Sequence, residues 1–179
     1  NLVLTTAATD IIKGTAGNDI VSGDPATTMQ AGDQVDGGSG SDTLKVLGTL
    51  TGAANLPGVI TGIETLQIAK LGAAALDLSA YTKATTGLTT IEVSDAALFN
   101  NTITTTAGQS LSLATAGGVV TAGAVTWAGS ATDTSLNLTL NGYQGKATVP
   151  ANLTVTGAAA TALNINSIGA DNKIGTLTG

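Results

Sequence analysis

Residues 37–45, GGSGSDTLK, match every position of the nine-residue pattern G-G-x-G-x-D-x-U-x, in which U is an apolar residue. Three earlier frames of nine, 5–13, 14–22 and 28–36, keep the aspartate at the sixth position and the apolar residue at the eighth. Five residues, GDPAT at 23–27, are inserted before the third frame. A chain with this repeat is constrained to build stacked, equivalent turns. The repeated residues are Asp10, Asp19, Asp33 and Asp42 at the sixth position and Ile12, Val21, Val35 and Leu44 at the eighth.

The residue chemistry of the frame predicts a turn of six residues followed by a strand of three. Glycine adopts positive φ at low cost and lets backbone carbonyls crowd together, so the Gly- and Asp-rich part forms the turn. The middle side chain of the short strand points to one face and its neighbours to the other, so the apolar residue enters the core. Stacked turns then present carboxylate and carbonyl oxygens, the hard ligands that calcium prefers.

These nonapeptides resemble those of the repeats-in-toxin family, whose members form parallel β-rolls with calcium held between turns on the same side. The resemblance covers roughly the first 45 residues. It implies that bridged turns lie two repeats apart, which pairs Asp10 with the turn of Asp33 and Asp19 with the turn of Asp42. The second pair is the stronger candidate, because threonine and methionine replace glycines in the first and third frames.

We therefore expect at least one calcium ion bridging Asp19, Gly38, Gly40 and Asp42. The complete set of residues expected at metal sites is Asp10, Gly14, Gly17, Asp19, Asp33, Asp36, Gly37, Gly38, Gly40 and Asp42.

Composition excludes several classes of protein. Twelve acidic residues stand against six lysines, with no arginine, and the net charge of −6 argues against a nucleic-acid partner, which requires a basic surface. Half of the acids precede residue 45, so the negative charge is local and suits cation binding. Cysteine is absent, which excludes disulfides and thiolate metal sites. No apolar run is long enough for a bilayer, so we expect no membrane insertion.

Catalysis is not expected. The chain has no histidine and therefore neither a Ser-His-Asp triad nor an HExxH helix. A glycosidase needs two facing carboxylates. The only glutamates, Glu64 and Glu92, fall at outward polar positions of predicted strands. We therefore predict that the protein is not an enzyme.

Downstream of residue 45 the sequence consists of short alternating runs separated by Gly, Asn or Ala, a period typical of β-strands. Either a β-solenoid or a β-sandwich fits such runs. Four aromatic residues are few for a sandwich core, so we predict an all-β, mostly parallel β-roll or β-solenoid. Asn141-Gly142 between alternating flanks predicts a local antiparallel hairpin. The predicted strand runs are 63–68, 74–80, 89–95, 101–106, 109–115, 135–141, 152–157 and 162–167.

The order of these segments resembles that of bacterial surface-layer and related giant surface proteins, in which such runs follow the calcium repeats. The likeness is carried by VITGIETLQIA, LDLSAY and GLTTIEVSDA. It implies two regions, a calcium-binding β-roll at 1–45 and a Thr/Ala/Gly-rich solenoid at 46–179. It also implies a secreted structural protein at the bacterial cell surface that assembles with itself, in a calcium-dependent way, into a layer or filament.

Self-association also follows from β architecture, because the unpaired edge strands of a short solenoid template the addition of further strands. The alternative function is that of an adhesin or carbohydrate-binding domain, with cell-surface polysaccharide as the partner. Trp127 and Tyr143 are candidates for stacking on a sugar, although packing in the core or in a turn is the simpler prediction for both.

Overall fold

The computed structural model describes residues 1–95, 101–114, 124–143, 151–169 and 171–179. Within them the regular secondary structure is β-strand, apart from one single-turn α-helix, α1 (Lys83–Thr86), and one short 3-10 helix (Ala53–Asn55). The strands are β1 (Leu2–Val3), β2 (Ile11–Lys13), β3 (Ile20–Gly23), β4 (Gln34–Asp36), β5 (Thr43–Leu50), β6 (Val59–Thr61), β7 (Thr65–Leu71), β8 (Leu76–Asp77), β9 (Thr90–Val93), β10 (Asn101–Thr104), β11 (Ser110–Ala114), β12 (Ala124–Ala128), β13 (Ser135–Asn141), β14 (Ala151–Thr156), β15 (Ala162–Ile168) and β16 (Ile174–Thr178).

Successive strands alternate between sheets, so that two strands and their connecting turns make one coil. The odd-numbered strands form an eight-stranded sheet in the order β1-β3-β5-β7-β9-β11-β13-β15. The even-numbered strands form two shorter sheets, β2-β4-β6 and β8-β10-β12-β14-β16. All pairings among the described residues are parallel. The predicted parallel β-solenoid is confirmed, and the β-sandwich alternative is wrong.

The antiparallel hairpin predicted at Asn141-Gly142 is wrong. Strand β13, which ends at Asn141, is flanked by β11 on one side and β15 on the other, both in parallel register, so it has no free edge for a hairpin partner. Gly142 has a φ of 65°, and a corner between two sheets of a coil uses this conformation as readily as a hairpin does. The Asn-Gly pair therefore correctly predicted a residue in the left-handed conformation. It did not predict the connection, which is not a hairpin.

The repeated apolar positions line the core. Val21, Val35 and Leu44 are buried, and Ile12 in the first frame is partly buried against the same cluster. This hydrophobic cluster continues through the coils as far as Val155, which is also buried. Burial of apolar surface, at roughly 25 cal/mol per Å², is the main favourable contribution to such a stack.

The largest core side chains lie in the later coils. Trp127 and Tyr143 have no exposed surface, and the Trp127 indole N–H donates to Thr105 Oγ1 at 2.9 Å. Both residues are therefore core residues, which confirms the prediction that they pack in the interior. None of the helices in the described part of the chain has the length and apolarity of a membrane span.

The acidic turns and the downstream coils share one sheet and one core. Strand β5 crosses residue 45 and pairs with β3 on one side and β7 on the other. Because β3 and β5 begin directly after Asp19 and Asp42, the sheet fixes the separation of the turns that precede these strands.

Candidate metal site in the acidic turns

Two columns of stacked turns carry the repeated aspartates. In the first column, the Asp10 turn (5–10) leads into β2 and the Asp33 turn (28–33) into β4. In the second, the Asp19 turn (14–19) leads into β3 and the Asp42 turn (37–42) into β5. Each upper turn is joined to the lower turn 23 residues later: Asp10 N–H donates to Asp33 Oδ1 at 2.8 Å, and Asp19 N–H donates to Asp42 Oδ1 at 2.6 Å. The stacking of turns two repeats apart is therefore observed, and calcium between them stays a prediction.

The second column has a further acidic member that the sequence analysis misplaced. Asp42 N–H donates to Glu64 Oε2 at 2.7 Å, across 22 residues, just as Asp19 N–H donates to Asp42. Glu64 ends the Glu64 turn (62–64) and precedes β7, so its predicted position within a strand is wrong. The signal that locates Glu64 is the pentapeptide GIETL at 62–66, which repeats GSDTL at 40–44 with glutamate in place of aspartate.

Below Glu64 the column continues with uncharged residues. Strand pairing aligns Thr65 with Thr90 and Thr90 with Ser110, so that the residues before them, Thr89 and Gln109, occupy the position of Glu64. Thr89 Oγ1 donates to the Glu64 carbonyl at 3.2 Å. In successive coils, this position is therefore occupied by Asp19, Asp42, Glu64, Thr89 and Gln109. Only its upper members are candidates for binding a cation.

In the second column, the stacking requires glycine at the first position of a frame. A Cβ on Gly14 would collide with the carbonyl oxygen of Gly37 one coil below, and a Cβ on Gly37 would collide with that of Gly62. The same hypothetical Cβ on Gly37 would lie 2.8 Å from Asp42 Oδ2. The carbonyl oxygen of Gly62 and the carboxylate of Asp42 therefore border one small space beside Gly37.

Most of the carboxylate oxygens in the columns are occupied by N–H donors. Asp33 is fully buried, and its Oδ2 accepts the Gln30 N–H at 2.7 Å in addition to the bond from Asp10 to Oδ1. Asp10 Oδ2 accepts the Thr5 N–H at 2.6 Å. These two aspartates, expected as metal ligands, thus serve as acceptors that fasten the backbone of the first column.

One carboxylate oxygen of Asp19 is likewise occupied within its own turn. Its Oδ2 accepts the Thr15 N–H at 2.6 Å and the Thr15 hydroxyl at 2.8 Å. These hydrogen bonds favour the charged form and hold the pKa of Asp19 below its ordinary value of 3.8. The carboxylate is therefore ionised at neutral pH and already has donors.

Asp42 differs, because one of its oxygens is buried and has no donor. The side chain is only 1% exposed, and Oδ2 is buried without a hydrogen-bond partner. Gly38 occupies the same position in its frame as Thr15, whose N–H donates to Asp19. The Gly38 N–H instead donates to Asp36 Oδ1 at 3.1 Å. An unpaired buried carboxylate oxygen is costly, so this atom marks a place where a cation would be stabilising.

The oxygens that border this place are the Asp42 carboxylate and the Gly62 carbonyl. Both are hard ligands of the kind that calcium prefers. Among the described residues no group of three or more Asp, Glu, His or Cys side chains is arranged around a common point, so main-chain oxygens would have to supply most ligands. Asp42 and the Gly62 carbonyl oxygen are the residues that would hold the ion. Its charge would offset the buried carboxylate.

The remaining predicted residues lie in the same second column. Gly17 and Gly40 face each other, since a Cβ on Gly40 would lie 2.8 Å from the Gly17 carbonyl oxygen. Gly38 and Gly40 have φ values of 92° and 130°, which side-chain-bearing residues rarely adopt. The structure therefore brings together Gly14, Gly17, Asp19, Asp36, Gly37, Gly38, Gly40 and Asp42, and it places Asp10 and Asp33 in the first column.

No protein-family model, no curated protein and no solved structure matches this chain. The observations that bear on function are therefore the solenoid fold and the chemistry of its acidic turns.

Proposed function

We propose that this chain is a module of a secreted structural protein that binds calcium at its acidic turns and assembles with copies of itself into a bacterial surface layer or extracellular filament. The observation that carries the calcium part is the buried, unpaired Oδ2 of Asp42 in a stack of glycine-rich turns. Weak calcium sites of extracellular modules are filled at about millimolar calcium. The ion would then be bound outside the cell.

Self-association is supported by the coil made of β15 and β16, which covers the end of the core. Ile165 and Ile168 in β15 and Leu177 in β16 are each between 43% and 44% exposed. Residues 156–158 and 160–163 line an apolar cavity of about 610 Å³ together with Leu136 and Val155. Exposed apolar side chains next to unpaired strand edges favour addition of further strands. Stacking of another copy on this end would continue both sheets.

A direct test compares the oligomeric state with and without calcium. Light scattering on a size-exclusion column, at high protein concentration, is expected to give a higher mass in millimolar calcium than in EGTA. Electron microscopy of the calcium sample is expected to reveal sheets or filaments. A monomer under both conditions would contradict assembly, and calorimetry without a calcium signal would contradict the metal site.

A second candidate, polysaccharide binding, is favoured by one feature of the eight-stranded sheet. Its outer face carries a groove of about 410 Å³ whose polar side chains include Gln67, Glu92, Ser112, Thr139 and Asn166. Strand pairing places these five residues in one row across β7, β9, β11, β13 and β15. Hydroxyl and amide groups in a row suit a neutral, hydroxyl-rich chain.

Two aromatic side chains do not contribute to this groove, because Trp127 and Tyr143 are buried in the core. Affinity electrophoresis in gels containing neutral bacterial polysaccharide tests the second candidate. Retardation that is weakened by Thr139→Ala and Asn166→Ala would support glycan binding, and unretarded migration would contradict it.

A further inference from the structure

We infer that the calcium ion lies between the Asp42 turn and the Glu64 turn, one coil beyond the pair of turns that the nonapeptide pattern indicates. Asp42 Oδ2 and the Gly62 carbonyl oxygen are two of its ligands. This inference rests on the proposed function and deepens it by moving the site into a turn that has no G-G-x-G-x-D sequence.

The free oxygen of the Asp42 carboxylate lies on the side of the Glu64 turn. Between the Asp19 and Asp42 turns, Asp19 Oδ2 is held by Thr15, and Asp42 Oδ1 is held by the Asp19 N–H. The carboxylate oxygen that is both buried and without a donor is Asp42 Oδ2. That oxygen borders the space beside Gly37, and the neighbouring oxygen there belongs to Gly62 in the next coil.

The Glu64 turn is shaped for close contact with the Asp42 turn. Gly62 has a φ of 58°, and a Cβ on it would lie 2.8 Å from the Gly38 carbonyl oxygen and 3.4 Å from Asp36 Oδ1. Only glycine fits this approach without displacing the backbone of one turn. Carbonyl and carboxylate oxygens of the two turns are therefore packed against one another with no side chain between them.

The negative charges of Asp42 and Glu64 favour a cation between their turns. Glu64 Oε2 accepts the Asp42 N–H at 2.7 Å, which fixes the backbone of Asp42 and places a second carboxylate beside it. Two neighbouring carboxylates repel each other, and a divalent cation between their turns offsets this repulsion. Glu64 is a positioning residue in this arrangement, because it acts on the ion through Asp42 and through its own charge.

Four variants with calcium alone as the probe separate this location from the alternatives. Isothermal titration calorimetry at pH 7 measures calcium affinity for the unchanged protein and for Asp42→Asn, Asp19→Asn, Glu64→Gln and Asp33→Asn. Thermal unfolding in EGTA measures the stability of each. All four substitutions keep the size of the side chain and remove one negative charge, so they are matched in charge.

The expected result is that Asp42→Asn weakens calcium binding at least about tenfold, since a ligand oxygen is replaced by an amide nitrogen. The same variant is expected to keep its melting temperature in EGTA, because the new N–H₂ faces the Gly62 carbonyl oxygen. Glu64→Gln is expected to weaken binding about threefold through loss of charge, since the amide oxygen still accepts the Asp42 N–H. Asp19→Asn and Asp33→Asn are expected to bind calcium within about twofold of the unchanged protein while melting at lower temperature in EGTA.

Each other outcome overturns something specific. Binding lost equally in Asp19→Asn and Asp42→Asn, with Glu64→Gln unaffected, would place the ion one coil earlier and overturn the inference alone. Binding unaffected by Asp42→Asn would overturn it as well. The absence of calcium binding by the unchanged protein would contradict the proposed function itself.

Discussion

Asp33 and Asp42 occupy equivalent positions in neighbouring columns, yet their carboxylates differ in the hydrogen bonds that they accept. Both are buried, and both accept the N–H of the aspartate 23 residues earlier through Oδ1. The second oxygen of Asp33 accepts the Gln30 N–H, whereas that of Asp42 has no partner. The turn with the complete set of glycines is thus the one that leaves an oxygen available to a ligand. The degenerate turn uses both oxygens to hold its own backbone.

The reason lies in the residues that replace glycine. In the frame 28–36, Met29 is 4% exposed and belongs to the hydrophobic core. The inserted loop supports this position, because the Asp24 carbonyl accepts the N–H groups of Thr28 and Met29 at 2.8 and 2.9 Å. Burial of Met29 leaves the next N–H, that of Gln30, directed at Asp33. In the Asp42 turn, Gly38 lacks a side chain to bury, and its N–H is directed at Asp36.

The largest effects are expected from two matched glycine substitutions, one in each column. A Cβ on Gly37 would collide with the Gly62 carbonyl oxygen, and a Cβ on Gly58 would collide with the Ala31 carbonyl oxygen of the Asp33 turn. Gly37→Ala and Gly58→Ala should each lower the free energy of unfolding by on the order of 3 kcal/mol. Urea denaturation measures the loss. Calorimetry should detect calcium binding in the folded Gly58→Ala variant and none in Gly37→Ala, and equal affinities would contradict the proposed position of the ion.

Removal of the two carboxylates in EGTA should produce unequal losses of stability. Asp33→Ala leaves two donors, the N–H groups of Asp10 and Gln30, without an acceptor, and should cost about 3 kcal/mol. Asp42→Ala leaves only the Asp19 N–H, removes an unpaired oxygen, and should cost about 1 kcal/mol or less. Equilibrium unfolding in urea, with EGTA present, measures both. Equal losses would mean that Asp42 Oδ2 has a donor in solution.

The smallest effect concerns the acid sensitivity of Asp19. Hydrogen bonds from the Thr15 N–H and hydroxyl lower the pKa of Asp19 in the folded protein. Because the folded pKa lies below the unfolded value of 3.8, this carboxylate stabilises the fold above that value, and the stabilisation is lost as pH falls through the folded pKa. Thr15→Val removes the hydroxyl donor and should raise the pKa of Asp19. NMR titration of the carboxyl carbon measures it, and an unchanged pKa would leave the backbone N–H as the whole cause.

The fold could be predicted from sequence in the coils where each residue type has one role. Aspartate and the apolar residue recur in a fixed phase, so the positions of Val21 and Leu44 in the core and the stacking of Asp19 on Asp42 were predictable. Alternation likewise located the strands from β7 onward, apart from β12 and β16. Strand β12, AVTWA, alternates only between small and large residues, which is a weaker signal than alternation of polar with apolar residues.

The site was predictable only in part, because hydrogen-bond donors are assigned by three-dimensional contact. Nothing in the sequence distinguishes the carboxylate of Asp33, which has two donors, from that of Asp42, which has one. Glu64 and Gly62 do not fit a pattern of aspartate in frames of nine, because the coil that contains them is 22 residues long. The pentapeptide G-x-D/E-x-U is independent of coil length and identifies both.

The replacement of acids by Thr89 and Gln109 further down the column affects how electrostatic repulsion changes as coils are added. Each additional coil of the uncharged kind extends the sheets and the core without contributing a further negative group at this position. Repulsion within the column is therefore confined to the coils of Asp19, Asp42 and Glu64 and does not increase with further coils. A change in ionic strength should accordingly act more strongly on the contacts among these three coils than on the uncharged coils of the same column.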